Sequence, residues 1–192
     1  MTTTRRTVLA AAGIGLAPLE RAAADHQGTL ASAPATATAA ERADVAGLVR
    51  NSADGNAALM RGDIRTYLER VPLADDFLLM SPFGGPPSLD VPYTPERLES
   101  IGRFFRNGSF GQEVIRSWAS ADMAVLATVE RANVEVGGLP AQDWALRVTL
   151  VYRREGSQWR LVHRHADPLA NGVTVELAAA ISRGDVTIRP RA

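Results

Sequence analysis

Trp159-Arg160-Leu161-Val162-His163-Arg164-His165-Ala166-Asp167-Pro168-Leu169 is a late strand that carries two of the chain's three histidines. Working back from it, three more strands are predicted at about 110–118, 122–136 and 143–154, with the last at about 158–166. Turn signals separate them at Ala121-Asp122, Gly137-Gly138 and Glu155-Gly156. Connections this short join neighbouring antiparallel strands, so the second half of the chain reads as a meander.

Upstream the period changes. Val45, Leu48, Val49, Ala53, Ala57 and Met60 recur at helical spacing until Gly62, and Asp63 caps a second helix buried through Ile64, Tyr67, Leu68 and Val71. A short apolar strand follows over 76–80, then a loop crowded with proline and glycine. A third helix opens with Thr94 as cap and Pro95 in its first turn, buries Leu98, Ile101 and Phe105, and is expected to stop before Gly108. Thr174 to Arg183, backed by Gly184, adds a terminal helix. Helices first and long strands after give an α+β fold, with a curved antiparallel sheet wrapped over three helices.

Composition narrows the chemistry. Twenty-one basic residues balance 21 acidic ones across 192 residues, which leaves no electrostatic footprint for nucleic acid or an anionic membrane. Cysteine is absent, so thiol nucleophiles, thiolate metal sites and disulfides are excluded. Every basic residue is arginine, which excludes lysine Schiff bases and the phosphate-loop lysine. No cofactor or metal is expected.

The amino terminus reads as an address. Arg5-Arg6, an apolar run ending near Leu16, and Ala22-Ala23-Ala24 resemble a twin-arginine export signal, cleaved after Ala24 or, as a second choice, Ala33. The apolar run is shorter than the roughly 20 residues a spanning helix needs, so no stable membrane anchoring is expected after cleavage. The chain is accordingly divided into a signal at 1–24, a flexible linker at 25–40, one folded domain at 41–170 and an extension at 171–192. The expected destination is periplasmic or extracellular.

The order of helix, glycine, Asp63-Ile64, second helix, Ala74-Asp75-Asp76, a strand running into Ser81-Pro82-Phe83-Gly84, third helix and four strands resembles the nuclear-transport-factor-2-like superfamily. Its SnoaL-like and ketosteroid-isomerase-like branches are the nearest in appearance, and the last strand also looks like that of the calcium/calmodulin-dependent kinase II association domain. The resemblance implies a cone with a ligand-sized cavity between sheet and helices, and a homodimer formed through the sheet. It also implies three catalytic positions in the steroid isomerases, which fall here on Ser81, Gly55 and Thr149. None carries the required aspartate, tyrosine or second acid, so the steroid isomerase set is not recognisable.

Strand alternation places Trp144, Leu146, Val148, Leu150 and Tyr152 on one face and Ala145, Arg147, Thr149 and Val151 on the other. The bulky face suits a dimer interface. The register that the resemblance implies puts the second face in the cone, together with Val162, Arg164 and Ala166. Ser81, Arg147, Thr149, Val162 and Arg164 then line a pocket whose two guanidiniums suit a small, carboxylate-bearing organic ligand. The alternative is that the arginines reach solvent or pair with Asp143 or Glu130. His163 and His165 share the opposite face with Asp167. Same-face neighbours lie about 6.6 Å apart, so His163 and Asp167 do not readily share a metal.

Three functions stay open. The leading one is an exported protein that binds a small organic ligand. The second is a cyclase, isomerase or dehydratase on a polyketide-like or steroid-like substrate, with His163 or His165 as acid/base and Ser81 assisting. The third is an oligomerisation module.

Overall fold

A computed structural model describes residues 38–89 and 94–185. The signal motif at Arg5 and Arg6, its cleavage sites and most of the linker lie outside the described residues. The linker's last residues belong to the first helix, α1 (Ala39–Met60), which opens on a capping box between Thr38 and Glu41. Helix α2 (Ile64–Arg70) is capped by Asp63, whose carboxylate accepts from the Thr66 amide at 3.1 Å. Helix α3 (Pro95–Phe104) opens as the sequence predicts, with Thr94 capping and Pro95 in the first turn. A last helix, α4 (Val175–Arg183), runs from the Thr174 cap to Gly184 at φ 75°.

Among the described residues, six strands form one sheet. They are β1 (Leu73–Met80), β2 (Ser88–Leu89), β3 (Phe105–Ala119), β4 (Met123–Val136), β5 (Leu139–Glu155) and β6 (Gln158–Pro168), in the spatial order β2-β1-β6-β5-β4-β3. The predicted meander is present, since β3 to β6 pair antiparallel in sequence. The sheet as a whole is mixed, however, because β1 pairs parallel to β6. Helix α3 and the meander separate these two strands in sequence, which is the long connection that parallel pairing requires.

Two boundaries differ from expectation for physical reasons. Helix α3 passes directly into β3 at Phe105, so Gly108 lies inside a strand rather than beyond a helix end. There it lets β3 approach α1, because a Cβ on Gly108 would stand 2.8 Å from the Met60 carbonyl oxygen. Strand β1 starts at Leu73, so Asp75 and Asp76 belong to the strand. Asp76 forms a two-pronged pair with Arg153 at 2.9 and 3.0 Å.

The core lies between the helices and one face of the sheet. Leu48 from α1 and Ile64 and Tyr67 from α2 pack against Leu126, Leu146, Val148, Leu150, Tyr152 and Leu161 from the strands. Leu126 and Leu161 are fully buried, each stabilising the fold by about 2 kcal/mol through apolar area removed from water. The bulky face of β5 therefore meets the helices, and the dimer interface expected there is corrected. Which of two alternating faces is inside depends on what the helices cover, and apolar burial favours the face with the larger side chains.

Candidate functional site

The inward face of the sheet, the C-terminal end of α1, and helices α2 and α3 line a cavity of about 240 Å³. Its walls are apolar and aromatic, with Phe77, Phe105, Phe110 and Leu146 among the lining side chains. Phe83, more than half exposed, stands at the mouth. Its ring centroid is 5.5 Å from those of both Phe104 and Trp144, so three aromatic side chains form the rim. The proline- and glycine-rich loop after β1 supplies Pro82 and Phe83 to that rim.

At the floor lies a buried ion pair. Arg164 Nη1 donates to Glu130 Oε1 at 2.9 Å and Nη2 donates to Oε2 at 2.7 Å, with side chains 13% and 4% exposed. Burial works against the charged guanidinium of Arg164. The Glu130 charge and its two hydrogen bonds more than offset that, holding the guanidinium above its ordinary pKa. Both residues line the cavity with Asn56 and Tyr67. Asn56 is itself fixed, its amide donating to the Ser52 carbonyl at 2.9 Å, while Ser52 Oγ donates to Gln112 Oε1 at 2.9 Å and so ties α1 to β3. Burial also pushes the Tyr152 phenol well above its ordinary range, with the neighbouring Tyr67 adding to the effect.

The pocket residues predicted from sequence separate into two groups. Ser81 and Arg164 line the cavity. Ser81 Oγ accepts from the Phe83 amide at 3.2 Å, which helps shape the rim. Arg147, Thr149 and Val162 do not line it. Arg147 is 65% exposed beside Asp167 at 3.6 Å on the outer face, and Thr149 lies opposite His165 on that same face. Two guanidiniums therefore do not converge from Arg147 and Arg164.

Val162 is displaced by a bulge. The β5–β6 register steps from Val151↔His163 to Tyr152↔Leu161, leaving Val162 as the extra residue. The step returns Leu161 to the core while Arg164 and Ala166 remain inward. Thr149 and Gly55 also show why the steroid isomerase positions do not transfer. The first faces outward, and a Cβ on the second would stand 2.8 Å from Val71 Cγ2.

His163 and His165 lie on the outer face, away from the cavity. His163 Nδ1 donates to the Leu78 carbonyl at 3.2 Å, and His165 Nε2 is 3.6 Å from Asp167 Oδ1. Neither can act with Ser81 on a molecule in the cavity, which corrects the acid/base role considered for them. Glu130 is the site residue that sequence reasoning named only as a counter-ion. The available signal was its place in the inward series Leu126, Thr128, Glu130, Ala132 and Val134, a carboxylate on an otherwise uncharged strand face.

The profile of the SnoaL-like domain family matches residues 97–170, from α3 to the end of β6. No curated protein sequence matches the chain significantly. Among solved structures, the chain is similar to a nuclear-transport-factor-2-like protein of unknown function from Pseudomonas putida KT2440. That match has 24% identity and a TM-score of 0.53, covering 68% of this chain and 87% of the other. It is also similar to a candidate dehydratase of that family from Streptomyces avermitilis, with 19% identity and a TM-score of 0.54 over 67% and 99% of the two chains. The association domain of C. elegans calcium/calmodulin-dependent kinase II aligns at 17% identity and a TM-score of 0.50 over 68% and 99%. The fold is therefore α+β and nuclear-transport-factor-2-like, with a SnoaL-like match across its third helix and its antiparallel meander.

Proposed function

We propose that this protein binds a small, largely apolar organic molecule in the cavity between the sheet and the helices. The observation that carries the reading is an apolar, aromatic-rimmed cavity of about 240 Å³ with one buried ion pair at its floor. Apolar walls with a few fixed polar groups are what ligand pockets share. The volume suits a ligand of one or two rings. The carboxylate-bearing ligand suggested by a pair of converging arginines loses its support, because Arg164 is engaged by Glu130.

A neutral bicyclic fluorophore titrated against the full chain tests this. Saturable binding is expected, with quenching of Trp144, and Ala132→Phe is expected to abolish it, since Ala132 lines the cavity beside Trp144. Binding unaffected by that filling substitution would place the ligand elsewhere.

Export by the twin-arginine route remains part of the proposal, supported by the Arg5-Arg6 motif and the apolar run behind it. Replacing both arginines with lysine is expected to stop export, and unchanged export would remove the idea. Assembly into a homodimer is proposed through the outer face of the sheet, supported by the exposed Trp118 and Met123.

A further inference from the structure

We propose that Glu130 is the specificity-determining residue of this cavity, excluding carboxylates and selecting neutral, flat ligands that carry a hydrogen-bond donor. The inference rests on the ligand-binding reading above and names the ligand's chemistry. The fork of Arg164 is the group at the floor that would otherwise take a carboxylate bidentately. Glu130 already fills that fork, at 2.9 and 2.7 Å, so the chain supplies its own internal carboxylate. An incoming anion would have to displace a partner that is covalently part of the protein and 4% exposed.

The pair is neutral overall, yet it is not indifferent to what enters. An ionised carboxylate offers about four acceptor sites, and Arg164 occupies two of them. The remaining capacity lies at the floor of an apolar cavity, where a donor from the ligand meets little competition from water. A hydroxyl or ring N–H pointing at Glu130 is therefore favoured over an acceptor or an apolar edge. The rim adds the second criterion. Phe83, whose ring centroid is 5.5 Å from those of Phe104 and Trp144, makes with them an aromatic rim that favours a flat ring. Arg97 and Arg131 also line the cavity, and Arg131 is paired with Glu113 at 3.2 Å.

Indole, benzofuran and benzoate form a decisive probe set, because indole and benzofuran share shape and differ in the N–H donor. Titration calorimetry on the full chain is expected to show indole binding about tenfold or more tightly than benzofuran, the difference one hydrogen bond to a charged acceptor makes. Benzoate is expected to bind most weakly. Glu130→Gln keeps the shape and spends its single carbonyl on Arg164, so the indole preference is expected to fall towards parity. Glu130→Ala leaves the Arg164 fork open, and benzoate affinity is expected to rise about tenfold or more over the wild type.

Benzoate binding the wild type as tightly as indole overturns the proposal, and so does an indole preference unchanged in Glu130→Gln. Either result leaves the ligand-binding reading standing. Failure of all three probes to bind the folded wild type removes both.

Discussion

Arg164 and Glu130 are joined by two parallel hydrogen bonds of 2.9 and 2.7 Å across the inward face of the sheet, although β5 lies between their strands. Arg164 pairs in register with Leu150, which pairs with Leu126, while Glu130 sits two inward positions further along β4. The long arginine side chain thus spans the floor of the cavity diagonally. It fixes both partners in a site where each charge, alone, would be poorly solvated.

Removing one partner leaves the other buried and uncompensated. Glu130→Ala and Arg164→Ala are each expected to destabilise the fold by about 3–5 kcal/mol. The double variant Glu130→Leu/Arg164→Met is expected to be more stable than either single alanine variant, because desolvation of both charges disappears together. Denaturant unfolding of all three checks this. A double variant no more stable than the single alanine variants would show that the two charges do not compensate each other.

Two glycines on β3 separate packing from backbone freedom. A Cβ at Gly108 would meet the Met60 carbonyl oxygen and Val134 Cγ2 at 2.8 Å, whereas one at Gly111 would meet nothing within 4 Å. Gly108→Ala is expected to cost about 1–3 kcal/mol, since α1 and β3 must move apart. Gly111→Ala is expected to stay within about 0.5 kcal/mol of the wild type. The difference in denaturation midpoint between the two variants is the measurement.

The element order was legible because its punctuation is local. Thr94-Pro95, Thr174 with Gly184, and the turns at Gly137-Gly138 and Glu155-Gly156 each act within a few residues, and each stands where the spacing predicts. The site was less legible because it depends on facts that alternation does not contain. Alternation divides β5 into two faces without saying which one the helices cover, so it does not tell Arg147 and Thr149, which face outward, from Leu146, which lines the cavity. The bulge at Val162 breaks the period within β6, and no glycine or proline marks it. Glu130 reaches Arg164 through a register set only when β4, β5 and β6 are assembled.

Acid sensitivity follows from Asp76. Hydrogen bonds from Arg153 hold its carboxyl below the ordinary aspartate pKa, and their charge attraction adds to the effect. A folded-state value below the unfolded one contributes stability above the unfolded pKa of about 3.9, lost as pH falls through the folded value. Asp76→Asn is therefore expected to be less stable than the wild type at neutral pH and to show a flatter decline below about pH 4. Melting followed by circular dichroism across pH 2–7 reads both effects. Since Asp76 is exposed, the difference is expected to be small and to shrink further in high salt.

The outer face of the sheet carries the last expectation. One row across it runs from Trp118 to Val125, Val151, His163 and Leu78, and Met123 extends the apolar area. A solvated face of an antiparallel sheet is ordinarily polar, yet Trp118 is 49% and Met123 37% exposed in the single chain. A second copy laid on this face would cover those side chains together with the His163 ring. Val151→Arg places a charge at the centre of the row without touching the cavity, because Val151 points away from it. Sedimentation velocity is expected to give twice the 20.5 kDa chain mass for the wild type and a single chain for Val151→Arg, with fluorophore binding retained in both. A wild type that sediments as one chain at tens of micromolar concentration would remove the homodimer and leave the cavity reading intact.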